Sequence, residues 1–571
     1  MTYLAALSVF SALFVGPAAS LATRQSPAGT ATVDLATSIG PAKFLGAGFI
    51  YGWPDNGTSV DTSIPDHLAR DIKFNSCRAG GAQIPAPGWA GGFDGYVERF
   101  KSALSNYRTT RKFGGDFILL PHDLWGADSV QGAGTAFPGD NGNWTESDLF
   151  LKQVAADLKA NDMLEGLVFD IWNEPEISSF WARSWEQYLE FYVRAHKIIR
   201  AELPQTLISG PSFADAPTLT HDKWNSWLSA VAGNNTIPDI WSWHQISSAR
   251  DLDLVVPDFN TLLVQHNLPK RPIDINEYAW PSEQTPAHSV FYLSQLERHD
   301  LRGLRANWGS GAALHDNMAD LVFHNATTGS YSPNGEWYLY KYYADMVGER
   351  VATAASADAK SDVFAVVEGS GAKILAGTRT VQGTYEVVVS GLSRLGLPTE
   401  GSVQVRTHRF DWAGAKVDVG EPVDLGVANV DYSSDTLKLL VTYPTNSTAF
   451  AFELHGANYD MRPSAIFNLA AILAFGPQVF AQPLNLGNDA QIVDSSKDKL
   501  DSLQARTSIP GMVKRSEPSP KKSKPDGQCY FCKGVGGCYM SVAGKTLAFT
   551  IGAAPGLVVP QTSTHLWGRL D

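Results

Sequence analysis

The sequence predicts an α/β chain, a (β/α)8 barrel followed by an antiparallel β-sandwich. Three observations carry this. Short apolar runs recur eight times between residues 45 and 308, and amphipathic helical patterns fall between them. After about Val351 the pattern changes to short β-prone runs divided by Gly, Pro, Asn and Asp. A doubly wound open sheet is the alternative, but no Gly-x-Gly-x-x-Gly follows the first run to hold a dinucleotide.

The eight candidate barrel strands are Leu45–Tyr51, Phe74–Arg78, Phe117–Pro121, Leu167–Trp172, Leu207–Gly210, Ile240–His244, Ile273–Glu277 and Gly303–Trp308. Between them, Ser184-Trp-Glu-Gln187 reads as a capping box, and Tyr188, Tyr192, Ala195 and Ile199 then share one helix face. Phe150, Val154 and Leu158 form a second such face after Thr145. In the second domain the runs are Ala365–Val367, Tyr385–Val389, Val403–Arg406, Leu437–Thr442 and Ala449–Glu453. These give a barrel over residues 23–350 and a sandwich over 351–460.

The 571 residues are 44% hydrophobic and 11% aromatic, enough for a large core and, at ~100–200 residues per domain, two to four domains. A formal charge of −13 argues against a nucleic-acid partner, because phosphate binding needs clustered Lys and Arg. Four cysteines do not build a disulfide scaffold. Residues 1–22 read as a signal peptide: the apolar run is too short to span ~30 Å of hydrocarbon and ends in small residues. Sequons at Asn56, Asn143, Asn234, Asn325 and Asn446 fit N-glycosylation during secretion. The chain is therefore expected to be extracellular, with no membrane partner.

The last 111 residues carry +5 where the first 460 carry −18. They hold a second signal-like segment (461–481), a dibasic Lys514-Arg515 and a short region with Cys529, Cys532 and Cys538. This is the layout of a separate small secreted precursor fused to the first, and it is expected to be largely disordered. Three cysteines are too few for a closed zinc site.

The chemistry is concentrated at two strand ends. Barrel enzymes place catalytic groups at the C-terminal ends of strands. Glu174 lies there in Phe169-Asp-Ile-Trp-Asn-Glu-Pro-Glu176, and Glu277 lies there three strands later in Pro272-Ile-Asp-Ile-Asn-Glu-Tyr278. Paired carboxylates across a barrel mouth suit glycosidic cleavage, where one protonates the leaving oxygen and the other acts at the anomeric carbon. Apolar walls such as Trp172 would raise the pKa of Glu174. His244 ends the sixth strand and His122 follows the third, as candidate ligands for sugar hydroxyls. Trp53, Trp125, Trp280 and Trp308 are candidate stacking faces, with Trp280 and Trp308 favoured.

These motifs resemble the retaining glycoside hydrolases of clan GH-A, and most of all the fungal secreted branch of family 39, over roughly residues 30–455. The resemblance implies that Glu174, in Asn-Glu-Pro, is the acid/base and Glu277 the nucleophile. It implies that Asn173 holds the sugar 2-hydroxyl, that Arg78 steadies the nucleophile, and that the reaction retains configuration through a covalent glycosyl-enzyme. Two departures bear on the substrate. Ala-Gly-Gly follows Arg78 in place of His-Gly, and Gln245-Ile246 follows His244 where the clan commonly has a Tyr that bonds the nucleophile. Tyr278 should point elsewhere. No metal or cofactor motif is present, so a metal-independent, cofactor-free glycoside hydrolase acting on an oligo- or polysaccharide is expected. A transglycosylase would use the same residues, and a carbohydrate-binding pseudoenzyme is the non-catalytic alternative.

Overall fold

The computed structural model describes residues 26–246 and 251–456, with the backbone of three short strands between 529 and 550. The leader at 1–22, the signal-like 461–481 and Lys514-Arg515 lie outside the described residues. The chain begins with β1 (Thr30–Pro41) and continues with β2 (Gly48–Ile50), β3 (Ser76–Ala79), β4 (Asp116–Leu119) and β5 (Leu167–Asp170). Then follow β6 (Leu207–Phe213), β7 (Ile240–Gln245), β8 (Ile273–Tyr278) and β9 (Arg302–Arg305). Strands β2 to β9 pair in parallel in chain order, and β9 pairs back to β2, so the barrel is closed. All eight strands coincide with the apolar runs.

The twofold alternation of side chains along a strand explains what the barrel contains. Phe49, Cys77, Phe117, Phe169, Trp241 and Trp243 face outward and pack among the surrounding helices. Their neighbours Ile50, Ile118, Val168, Ile240 and Leu304 form a separate apolar plug from five strands. On the plug's face of the sheet, Arg78, Asp170, Ser242 and His244 alternate with the outward residues, and all are buried. The helix Trp185–Glu202 is capped by Ser184, whose Oγ accepts from the Gln187 N–H. Only this half of the capping box forms, and the Gln187 Nε2 donates to Pro138 O at 2.7 Å. Phe150, Val154 and Leu158 are fully buried on the helix Thr145–Ala160.

After the hairpin β10 (Val322–Asn325) and β11 (Ser330–Pro333) come β12 (Glu349–Ala354), β13 (Ser361–Glu368), β14 (Gly371–Thr378) and β15 (Gly383–Ser390). The domain is completed by β16 (Gly401–Phe410), β17 (Val423–Tyr432), β18 (Thr436–Tyr443) and β19 (Ala449–His455). They form one nine-stranded sheet in the order β17-β16-β19-β14-β13-β12-β1-β15-β18. Its edge strands β17 and β18 approach each other, so the sheet curls over its own apolar core. The sheet is antiparallel except where β1 meets β15.

The expected boundary at residue 23 therefore shifts. β1 belongs to the sheet, between β12 and β15, and the barrel starts at β2. Ala31, Val33 and Leu35 of β1 are buried in the sheet core while the residues between them are more exposed. The sheet packs against the helix Pro286–His299. Gly377 permits that contact, since a Cβ there would lie 2.3 Å from Ala287 O.

Asn56, Asn143, Asn234 and Asn446 are exposed and Asn325 is half-buried. Among the described residues no helix is long and apolar enough to cross a membrane. In the remainder of the chain, Cys529–Phe531, Gly537–Val542 and Lys545–Thr550 pair as a small antiparallel sheet, a regular element within the segment expected to be largely disordered.

Candidate active site

Arg78 is the hub of the barrel mouth. It is fully buried, and its planar guanidinium spends its donors on three partners. Nη1 donates to Glu277 Oε1 at 2.7 Å, Nε to Asp170 Oδ2 at 2.9 Å and Nη2 to Asn173 Oδ1 at 2.8 Å. A rigid fork can hold three groups in fixed relation, which a lysine cannot do. Because Arg78 only donates, Asn173 must present Oδ1 to it, leaving the Asn173 amino group to donate elsewhere.

Asp170 ends β5 and anchors a layer beneath. Ser212 Oγ donates to both of its oxygens at 2.7 and 2.8 Å, and Asn276 Nδ2 approaches it at 3.2 Å. Ser212 also contacts Ser242 Oγ at 2.9 Å. A register shift between β7 and β8 pairs Trp243 with Ile275 and His244 with Glu277, so Asn276 is the extra residue. A bulge re-aims side chains. Here it lets consecutive Asn276 and Glu277 both reach the polar layer, one bonding Asp170 and the other Arg78.

Glu174 sits four residues beyond β5 with φ +42°, a left-handed conformation costly for a non-glycine residue. Its N–H donates to Ser212 O at 2.9 Å. His244 joins the two glutamates: Nδ1 lies 2.9 Å from Glu174 Oε1, and Nε2 lies 3.6 Å from Glu277 Oε1. One oxygen of each carboxylate and one ring nitrogen lie within 4.8 Å of one another. Both glutamate side chains keep 14% exposure, whereas His244 has none.

Burial pushes the Glu174 carboxyl up to about 7, against the pull of Arg78 and His122. Burial also raises Glu277, and His244 and Arg78 draw it back. Of the two glutamates only Glu277 holds the guanidinium directly, which favours its ionised form, while the charge of Glu174 opposes it. Burial pushes His244 down to about 4, so its ring is neutral at pH 7.

His122 Nε2 lies 3.0 Å from Asp123 Oδ1, and Asp123 Oδ2 accepts from the Tyr51 hydroxyl. That hydroxyl also accepts the Gly80 and Ala82 N–H groups at 3.0 Å. His122 is buried beside Trp172 and Phe180, and its Nδ1 has no partner. This explains the Ala-Gly-Gly after Arg78: a Cβ on Gly80 would meet Leu120 O at 2.1 Å. Trp280 is 43% exposed and packs edge-on against Trp308, with ring centroids 4.4 Å apart. Trp53 and Trp125 are not at the mouth surface. They are core, against Phe113 and Phe150. Tyr278 turns away from the site and bonds Gly46 O and Tyr340 Oη.

Sequence reasoning brought Arg78, Asn173, Glu174, His244 and Glu277 to one place and missed Asp170, Ser212, Ser242 and Asn276. The alternation along β5 and β7 was the available signal for two of these. Glu174, His244 and Glu277 are also, among the described residues, the one grouping of donors close enough to hold a metal ion, although Arg78 beside Glu277 opposes a cation.

No family model matches the chain. It is similar to 3-O-alpha-D-galactosyl-alpha-L-arabinofuranosidase of Bifidobacterium longum subsp. longum, at 22% identity over 396 residues. The match takes in 60% of this chain and 32% of that protein. In sequence, the chain is similar to a glycosidase. In structure it is similar to N2152 from Neocallimastix frontalis, with a TM-score of 0.59 and 20% identity over 75% of this chain and 100% of that one. A monomeric beta-xylosidase from Caulobacter crescentus CB15 aligns over 75% of this chain and 100% of its own, with 14% identity and a TM-score of 0.48. The first of these structures shares the barrel-and-sheet fold.

Proposed function

We propose that the protein is a secreted retaining glycoside hydrolase of the clan GH-A type, with family 39 the nearest resemblance. The observation that carries the reading is the pair of unlike carboxylates at the mouth of a closed barrel. Glu174 is protonated up to about pH 7, and Glu277 is paired with Arg78, within 4.8 Å of each other through His244. Retaining enzymes hold their two carboxyl groups at ~5–5.5 Å, whereas inverting ones leave ~6.5–9.5 Å for a water molecule.

In the first step Glu277 attacks the anomeric carbon and Glu174 gives its proton to the departing oxygen. Glycosylation neutralises Glu277, which lowers the pKa of Glu174 and lets it take a proton from the incoming water. Arg78 and His244 hold the nucleophile. The amino group of Asn173 and the unpartnered Nδ1 of His122 are placed to meet hydroxyls, and Trp280 with Trp308 to meet a sugar face. The arabinofuranosidase similarity favours including α-L-arabinofuranosides among trial substrates, since they are configurationally equivalent to β-linked pyranosides.

Proton NMR of the first product formed from aryl β-D-xylosides, β-D-glucosides and α-L-arabinofuranosides tests the reading. The expected first product keeps the substrate's anomeric configuration. An inverted first product would overturn the mechanism.

A further inference from the structure

The sheet domain reaches back to the barrel mouth through Arg379, in the connection between β14 and β15. Its Nη1 donates to Asp251 Oδ1 at 2.9 Å, at the start of the helix that follows β7. Its Nε and Nη2 each approach Glu283 Oε1 at 3.2 Å, in the loop that follows β8. Glu283 is only 4% exposed, and its other oxygen accepts the Trp280 N–H at 2.9 Å and the Tyr292 hydroxyl at 2.7 Å. Trp280 stands three residues beyond Glu277. The next residue of the connection adds a second grip, as Thr380 N–H donates to His288 Nε2 at 2.7 Å.

We propose that Arg379 is a positioning residue for Trp280: acting through Glu283, the sheet domain fixes the aromatic platform of the barrel mouth without touching substrate. A carboxylate this buried needs its cation. Remove the guanidinium and Glu283 must reorient toward water, which withdraws its oxygen from the Trp280 N–H. Trp280 is the most exposed tryptophan on the mouth, its ring packs against Trp308, and its carbonyl accepts the Glu283 N–H at 2.7 Å, so Glu283 grips both ends of its backbone. Trp308 is itself tied to the same loop, since its Nε1 donates to Ala279 O at 3.0 Å. The loop thus carries both rings, and Arg379 bridges it to the loop after β7. The platform role of Trp280 rests on the proposed glycosidase reading, while the mechanical link from Arg379 to Trp280 does not.

The experiment therefore has two readouts on Arg379→Met, Arg379→Lys and Glu283→Leu. The first is acrylamide quenching of tryptophan fluorescence, with Trp280→Phe subtracted to isolate Trp280. The second is steady-state kinetics on the best aryl glycoside, in the native and Trp280→Ala backgrounds. Arg379→Met is expected to increase quenching of Trp280, Arg379→Lys to restore part of the protection, and KM to rise roughly 3–30-fold with kcat within about twofold. In the Trp280→Ala background the same substitution is expected to leave KM unchanged. Equal quenching in Arg379→Met and native protein, or KM effects that simply multiply, would overturn the proposal. Should Arg379→Met fail to fold, Glu283→Leu carries the test, because it removes both the ion pair and the acceptor of the Trp280 N–H: quenching of Trp280 is expected to rise, and unchanged quenching would overturn the proposal. Absence of turnover with every glycoside would count against the glycosidase reading and leave the quenching readout to decide the link.

Discussion

At the scale of single residues the two glutamates differ in their neighbours, and that difference underlies the roles proposed for them. Glu277 faces a guanidinium at 2.7 Å, while Glu174 faces a neutral imidazole at 2.9 Å. Glu174→Gln is expected to slow cleavage of glycosides with poor leaving groups by about 10²–10⁴-fold and to spare the first step for dinitrophenyl glycosides, which need no proton. The alkaline limb of kcat/KM should lie near pH 7, because activity requires protonated Glu174 and is lost as pH rises through about 7. In Glu277→Gln the loss of a nearby negative charge should lower the pKa of Glu174, as ¹³C NMR of labelled glutamate would show. Arg78→Met should cost stability as well as turnover, about 3–5 kcal/mol, since Asp170 would be left buried without its cation. The sequence made the two glutamates legible through Asn-Glu-Pro and the strand ends. The three-way fork of Arg78 was not legible, because it depends on strands β3, β5 and β8 closing around one point.

At the scale of elements, the eight barrel strands could be read because each is buried on both faces and so appears as a continuous apolar run. β1 followed another rule. Ala31, Val33 and Leu35 alternate with more exposed residues, the mark of a strand with one wet face, and this sets it apart from the barrel strands. The β8 bulge left no trace in composition, since the extra residue, Asn276, lies inside an otherwise regular run. The contact of β14 with the helix Pro286–His299 depends on a glycine that sequence alone would class as a weak strand residue. Gly377→Val should therefore lower the unfolding midpoint measured by calorimetry, because its Cβ would collide with backbone and with Val290. An unchanged midpoint would show that the sheet and barrel pack less closely than described.

For the whole molecule, stability should peak at mildly acidic pH. Burial raises Glu174 to about 7 and Glu176 to about 8 from an ordinary value of 4.5, so the stability they confer is lost as pH rises across that range. Burial lowers His244 and His288 to about 4 from 6.5, so their contribution is lost as pH falls across theirs. Thermal melts from pH 4 to 9 should show both limbs, and Glu176→Gln should flatten the alkaline one. The charge asymmetry about Asp460 leads to a further expectation, which rests on the proposal of secretion: the intact mass of the protein recovered from culture medium should end near that residue. The central claim is that this barrel forms a covalent glycosyl ester on one glutamate. Peptide mass spectrometry after incubation with 2-deoxy-2-fluoro glycosides tests it most directly. The account predicts a stable sugar adduct on Glu277. An adduct on Glu174, or turnover of the parent glycosides with no adduct on either glutamate, would contradict it.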